Sequence, residues 1–183
     1  MASDLDRDPR WVRLHDGGWV CPCCGARHGG VLDLASSRPY YCPGGAGTRP
    51  HSEVATVAGE SFLDADFCVV DRRSFFVRGV LRLPIIGGGG ASFGCGCWSS
   101  LSKENFERHL DTFESGRQGV LGPWFGWFSD LLEGYPDTLA LKCRVTPRDG
   151  NERPAFELEP TSRPLASEQH EGIPSTGCWR YVP

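Results

Sequence analysis

Alternating apolar and polar residues in the middle of the chain predict a β-sheet. The segment DADFCVVD supplies Phe67, Val69 and Val70 for one strand, and the DRRS sequence that begins at its end is typical of a hairpin. In the next run, FFVRGVLRLPII, a period of two puts Val77, Gly79, Leu81 and Leu83 on one face and Phe76, Arg78, Val80 and Arg82 on the other. Four consecutive glycines end this run and predict a turn, after which SFGCGCWSSL forms a third strand.

A helical period follows the third strand. Ser102 is placed to cap KENFERHLDTF, in which Phe106, Leu110 and Phe113 recur at the spacing of one helix face. We expect His109, within this helix, to be half-buried or to face solvent. The next segment, GPWFGWFSDLLEG, predicts a short buried helix or an irregular piece that caps the core. We expect its aromatic residues to pack in the core: Trp124, Phe125, Trp127 and Phe128.

Two more strands and a short helix complete the pattern. TLALKCRVT and AFELEP alternate as strands do, with Leu141, Cys143 and Val145 sharing one face. Pro164 then opens the helix PLASEQHE, which Gly172 closes. Strands outnumber helices and follow one another without crossover helices. The sequence therefore predicts an α+β fold, an antiparallel sheet with a few short helices and an N-terminal Cys/His knuckle.

Length and composition narrow the class of protein. With 183 residues, 39% hydrophobic and 23% charged, the chain has the composition of one globular domain. The net charge of −4 and the lack of a basic arm argue against nucleic-acid binding. The sequence has no apolar run of the roughly 18 residues that a membrane span needs, and its start lacks the apolar segment of a secretory signal. We therefore expect a cytoplasmic protein without membrane contact.

The clearest chemical motif is Cys21-Pro-Cys-Cys24-Gly25 near the start of the chain. Two thiolates three positions apart in a tight turn can bind one tetrahedral ion, and zinc is the metal that suits them. His28 and Cys42 are the expected third and fourth ligands, because His28 follows four positions later and Cys42 lies at zinc-ribbon spacing. An alternative is completion of the site from across the fold by Cys95 and Cys97. The nine cysteines are an odd number, and we expect Cys68, Cys95, Cys97 and Cys143 to be core residues, with Cys68 and Cys143 chemically silent.

Ordered motifs along most of the chain resemble a bacterial family known only as a domain of unknown function, number 2199. The resemblance runs from Trp19 to Ile173. It is carried by CxxCG with His28, DFCVVD, FFVRG, WSSLSxxNF, WFGW, GYPDTL, ELEPT, PLA and EQHEGI. The resemblance implies kinship and not chemistry, because the family has no assigned activity. The segment 42–49 and the tail PSTGCWRYVP depart from the family pattern.

We divide the chain into four parts on this basis. Residues 1–18 are a leader, 19–62 hold the cysteine knuckle and a Gly/Pro-rich loop, 63–173 form the α+β core of the family, and 174–183 are a divergent tail. These boundaries follow the change from turn-forming composition to regular strand and helix periods.

The residues leave three classes of function open. The one we favour is a non-enzymatic domain in which the knuckle holds a structural zinc ion and an exposed surface binds a protein partner. An alternative is a metal-assisted hydrolase with the following polar motif residues in one pocket: Asn105, Asp137, Glu157, Glu168 and His170. A zinc-ribbon protein that binds nucleic acid would need a positive stripe on one sheet face, made by Arg72, Arg73, Arg78 and Arg82.

Overall fold

The fold is built on one long antiparallel hairpin. A computed structural model describes the backbone of Trp19–Val20 and Arg27–His28, together with residues 34–43 and 61–174. Strands β6 (Ser74–Pro84) and β7 (Ser92–Leu101) pair along their whole length. The glycines between them form the predicted turn, and both strands agree with the sequence periods.

The other elements are shorter. Helix α1 spans Lys103–Phe113 and helix α2 spans Pro164–Glu171, both as predicted, and a single 3-10 turn covers Gln118–Val120. The Ser102 side chain caps α1 by accepting a hydrogen bond from the Asn105 N–H at 3.3 Å. The remaining strands are β1 (Trp19–Val20), β2 (Arg27–His28), β3 (Leu34–Ala35), β4 (Phe62–Leu63), β5 (Phe67–Val70), β8 (Trp124–Trp127), β9 (Lys142–Thr146) and β10 (Ala155–Leu158).

The main sheet runs in the order β3-β7-β6-β10-β9-β8, with β5 on β6 and β4 on β5. Most pairs are antiparallel, which confirms the predicted α+β class. Two pairs are parallel, β3 with β7 and β10 with β6, and the sequence periods contain no signal for them. Strands β1 and β2 pair with each other in a separate antiparallel ribbon.

Strand β8 corrects the prediction of a helix or irregular segment around Pro123. The residues WFGW alternate between buried and exposed positions and pair antiparallel with β9. The sheet curls so that the chain at the end of β8 also reaches β7. Phe128 forms a bridge with Ser99, and the Ser129 N–H donates to the Trp98 carbonyl at 2.8 Å.

Gly126 allows this close approach. A Cβ atom at this position would lie 2.3 Å from the Ser99 Oγ and 2.5 Å from the Ser100 carbonyl oxygen. Real Cβ atoms do not come this near to backbone, so any side chain here would push β8 away from β7.

The curl encloses the main core, and a second cluster lies on the other face of the hairpin. The main core includes Val77, Leu81 and Leu83 of β6, as the predicted alternation requires. The second cluster consists of Cys42, Leu63, Cys68, Phe76 and Trp98. Segment 34–43 covers it: the Trp98 indole N–H donates to the Ser36 carbonyl at 3.2 Å.

Helix α1 is rotated relative to the predicted face. Phe106 is buried as expected, but Leu110 is exposed and His109 is buried in its place. The expectation that His109 faces solvent or is half-buried is therefore wrong. The aromatic rings of Phe67, Phe113 and Trp124 surround the imidazole and make this position favourable for a flat ring.

The substitution Gly126→Ala tests the closure of the sheet. We expect it to lower the free energy of unfolding by about 3 kcal/mol, because the added methyl group meets backbone atoms of β7 that cannot move independently. Chemical denaturation followed by tryptophan fluorescence measures the change. Thr146→Ala, at an exposed position of β9, is the control and should change stability by less than about 0.5 kcal/mol. A Gly126→Ala protein as stable as this control would contradict the account of the closure.

Candidate functional site

The predicted metal ligands fall in two parts of the chain. Cys21 and Cys24 lie outside the described residues, and His28 is described only as a backbone position of β2. The pairing of Trp19 with His28 and of Val20 with Arg27 makes residues 21–26 the connection of a two-stranded ribbon. Among the residues that the structure describes, no group of three or more His, Cys, Asp or Glu side chains is arranged to hold a metal ion.

Cys42, the fourth predicted ligand, is buried in the second cluster. Its N–H donates to the Pro39 carbonyl at 3.0 Å, which forms a tight turn. Its thiol donates to the Pro43 carbonyl at 3.8 Å, and Cys68 of β5 belongs to the same cluster. Burial, followed by the neighbouring Cys42, raises the pKa of Cys68 far above that of a free thiol. Cys68 is fully buried, as predicted.

The other described cysteines belong to the main core. Burial raises the pKa of Cys97, and it raises the pKa of Cys143 to about 11. Cys95 and Cys97 lie on the face of the hairpin opposite to the cluster that contains Cys42. The alternative in which these two residues complete the site of Cys21 and Cys24 stays a prediction, because that first pair lies outside the described residues.

Asp130 connects the second cluster to the sheet. Its carboxylate accepts a hydrogen bond from the Trp98 N–H at 2.5 Å, and the nearby Ser36 side chain favours its charged form. The Tyr40 N–H donates to the neighbouring Ser129 carbonyl at 2.7 Å. The carboxylate therefore contacts both β7 and segment 34–43, although sequence reasoning gave it no role. Its one signal was an acidic residue inside the apolar run WFSDLL.

Burial raises the pKa of Asp130 to about 7, and the Trp98 N–H, Ser36 and the Arg78 guanidinium only partly oppose this. The folded protein therefore holds a proton at this carboxyl at pH values where the unfolded chain has lost it. Its contribution to stability is largest below about pH 4 and decreases as the pH rises to about 7. Asp130 therefore has a structural role, and its carboxyl group has a pKa near neutrality.

Arg78 does not contribute to a positive surface. It is buried, lies over the Trp98 ring at 6.0 Å, and donates to the Ala65 carbonyl at 3.3 Å. Arg78 is therefore missing from the surface stripe that the sequence predicted, which consists of Arg72, Arg73, Arg78 and Arg82. The structure gives the nucleic-acid alternative no support from this face.

Four of the five side chains of the hydrolase alternative have separate partners. Asp137 lies 4.0 Å from Arg163, Glu157 lies 3.7 Å from Arg144, and both carboxylates are exposed. Asn105 sits in the first turn of α1. Glu168 accepts a hydrogen bond from the Tyr135 hydroxyl, and the His170 Nε2–H donates to the Leu158 carbonyl at 2.8 Å.

The EQH motif of α2 completes the edge of β10. The parallel pairing of β10 with β6 ends at Phe156. Beyond Phe156 the Gln169 side-chain amide takes the place of a neighbouring strand. It donates to the Phe156 carbonyl and accepts from the Leu158 N–H, both at 2.7 Å. These polar side chains therefore satisfy backbone groups and fasten α2 to the sheet.

The outer face of strands β8, β9 and β10 carries an exposed aromatic pair. Phe125 is 51% exposed and Trp127 is 43% exposed, and their rings meet edge to face at 5.0 Å. The expectation that all four aromatic residues of this segment pack in the core is right for Trp124 and Phe128 only.

Charged residues extend this face in two cross-strand rows. Phe125 stands opposite Arg144, which pairs with Glu157, and Trp127 stands opposite Lys142, which pairs with Glu159. A pocket of about 370 Å³ lies beside Phe125, with Pro123 and Pro160 in its wall. We define the outer face as Phe125, Trp127, Lys142, Arg144, Glu157 and Glu159. It combines apolar area with side chains of both charges.

In the described part of the chain, neither helix is long and apolar enough to cross a membrane.

Comparison with known families matches residues 20–173 to a family described as "Uncharacterized protein conserved in bacteria (DUF2199)". Searches of curated proteins and of solved structures find no significant match.

His109 offers a test of the burial of α1. Burial lowers its pKa to about 4. Between about pH 6.5 and pH 4 the imidazole is therefore protonated in the unfolded chain and neutral in the folded protein. His109→Phe keeps a flat ring and removes the buried Nδ1, which has no hydrogen-bond partner among the described residues. The difference in free energy of unfolding between the variant and the wild type should therefore be about 2 kcal/mol more favourable to the variant at about pH 5 than at about pH 8.

Urea denaturation at both pH values measures this difference. The control is Leu110→Ala, which replaces an exposed residue of the same helix, removes no titratable group and should leave the pH dependence unchanged. If His109→Phe and the wild type lose stability in parallel on acidification, the imidazole is not held neutral by burial.

Proposed function

The chain belongs to the bacterial DUF2199 family, and on that premise we propose that it is a non-enzymatic binding domain. A structural zinc knuckle fixes its N-terminal segment, and the outer face of β8–β10 binds a protein partner. The proposed zinc ligands are those of the sequence prediction: Cys21, Cys24, His28 and Cys42. We place the protein in the cytoplasm, where reduced thiols are available to bind metal.

The observation that carries the proposal is the exposed aromatic pair on the outer face. Aromatic side chains are enriched in the centres of protein interfaces, where they contribute a large part of the binding free energy. Phe125 and Trp127 are attached to a paired strand, so a partner would meet a surface that is already ordered. The pocket beside Phe125 could receive one apolar side chain of the partner.

The charged rows suit the rim of such an interface. Lys142 and Arg144 are already paired with Glu159 and Glu157 at 3.6 and 3.7 Å. A partner that covers the aromatic pair can leave these ion pairs solvated at the edge, which avoids the cost of burying single charges. The surface therefore favours a protein partner with an apolar centre and a mixed-charge rim.

The polar motif residues support a binding domain rather than an enzyme. Glu168, Gln169 and His170 satisfy groups of β10 and the Tyr135 hydroxyl. His109 is enclosed by aromatic rings, and its pKa is lowered to about 4. These four side chains have structural roles in the fold and do not form a nucleophile with an adjacent base.

Photo-crosslinking in the native bacterium tests the partner proposal. With p-benzoylphenylalanine at position 125, we expect a covalent adduct of one defined mass. The same group at position 120, where Val120 is 86% exposed on the 3-10 turn, should not give that adduct. Mass spectrometry identifies the captured protein, and binding is then measured with both purified proteins.

For the purified pair, Trp127→Ala should weaken binding by about 30-fold, the loss of an interface hot spot of about 2 kcal/mol. Val120→Ala is the matched control and should leave the affinity unchanged. Equal affinities for Trp127→Ala, Val120→Ala and the wild type would contradict a role for the outer face.

A further inference from the structure

The outer face is ordered by side-chain type from one strand to the next. Strand β8 carries the aromatic pair, β9 carries the two cations, and β10 with the residue that follows it carries the two carboxylates. Strand pairing places Phe125 opposite Arg144 and Arg144 opposite Glu157, so these three lie in one row across the strands. The second row consists of Trp127, Lys142 and Glu159. Each row therefore runs from an aromatic ring through a cation to a carboxylate.

The spacing of the strands sets the length of each row. Neighbouring strands lie about 4.8 Å apart, so the backbone positions of the ring on β8 and of the carboxylate two strands away are about 9.6 Å apart. A polyproline II helix repeats every three residues, which is about 9.3 Å. An extended strand repeats on one side after about 6.8 Å, which matches neither one nor two strand spacings. A peptide in the polyproline II conformation, laid across the strands, can therefore contact a ring with one residue and a carboxylate with the residue three positions away.

The chemistry of each row suits a peptide of this kind. Surfaces lined by aromatic rings bind proline-rich segments in several classes of domain. The pocket of about 370 Å³ beside Phe125 adds the apolar rings of Pro123 and Pro160. In the middle of the rows, the cations of β9 can donate hydrogen bonds, and a proline-rich backbone offers carbonyl acceptors but few N–H donors. At the far end, the two carboxylates attract a basic side chain, and more than half of each remains exposed beside its ion pair.

We propose that the outer face binds a proline-rich segment of the partner that carries a basic residue three positions from a proline. This inference rests on the binding face of the proposed function and names the chemistry of the partner. Such a segment is extended before it binds, so its contact with an ordered strand costs little conformational entropy. The charged rows decide which proline-rich segments bind, because an acidic residue at the same position would meet the two carboxylates.

NMR titration of the isotope-labelled full-length protein with synthetic peptides tests the proposal. The probe is PPPPRPPPP, in which the arginine lies three positions from a proline in both chain directions. We expect saturable shifts of the Phe125, Trp127 and Arg144 amides. The peptide PPPPEPPPP should bind about tenfold more weakly, because attraction by the carboxylates becomes repulsion. The peptide AAAARAAAA should give no saturable shifts, because it keeps the charge and lacks both the proline rings and the polyproline II conformation.

Matched variants assign the charge preference to the outer face. Glu157→Gln combined with Glu159→Gln removes both carboxylates, and PPPPRPPPP should then bind at most about twofold more tightly than PPPPEPPPP. Glu152→Gln is the control, because Glu152 is an exposed carboxylate paired with Arg148 outside the outer face. It should keep the preference of about tenfold. Urea denaturation verifies that both variants are as stable as the wild type, as expected for substitutions at exposed positions.

The contrary results are equally specific. The inference is wrong if PPPPRPPPP does not bind, if the glutamate or alanine peptide binds as tightly, or if the shifts lie outside the outer face. Shifts at the outer face that depend on protein concentration without any peptide would assign the face to a second copy of the chain and would also overturn it. A partner crosslinked at position 125, together with no binding of PPPPRPPPP, would overturn this inference alone and leave the proposed function intact.

Discussion

The fold depends on one buried carboxyl group, Asp130, at the point where three segments of the chain meet. It follows β8 and accepts a hydrogen bond from the Trp98 N–H of β7, and the Ser36 side chain of segment 34–43 favours its charged form. Without these interactions a carboxyl group here would be buried without compensation, which proteins rarely tolerate. The same contact therefore helps close the sheet and fixes the segment that carries Cys42.

The exposed face of β8 and the position of segment 34–43 are both related to this closure. Because Gly126 lets β8 approach β7, Trp124 turns inward while Phe125 and Trp127 remain outside on a paired strand. On the other face of the hairpin, segment 34–43 covers Trp98 and brings Cys42 to Cys68. The outer face of β8–β10 and the second cluster therefore both lie on the side of the sheet that faces away from the main core.

Local patterns in the sequence were sufficient to place β6, β7, α1 and α2, because the two strands alternate and the helices have end signals such as Ser102 and Gly172. The period of α1 nevertheless predicted Leu110, and not His109, on the buried face. The run of aromatic residues around Gly126 hid the alternation of β8, since exposed and buried positions were both aromatic. The sequence analysis also did not place Cys42 and Cys68 in one cluster. Contacts between residues so distant along the chain leave no signal in a periodicity.

The state of Asp130 gives the most direct test of this account. In NMR spectra of the folded protein with labelled aspartate, the Asp130 carboxyl carbon should titrate with a midpoint near pH 7, and the Trp98 amide should shift with the same midpoint. A midpoint close to the ordinary value of 3.8, with no change at the Trp98 amide, would contradict it. The carboxyl group would then be solvated, and the closure of the sheet would not depend on it.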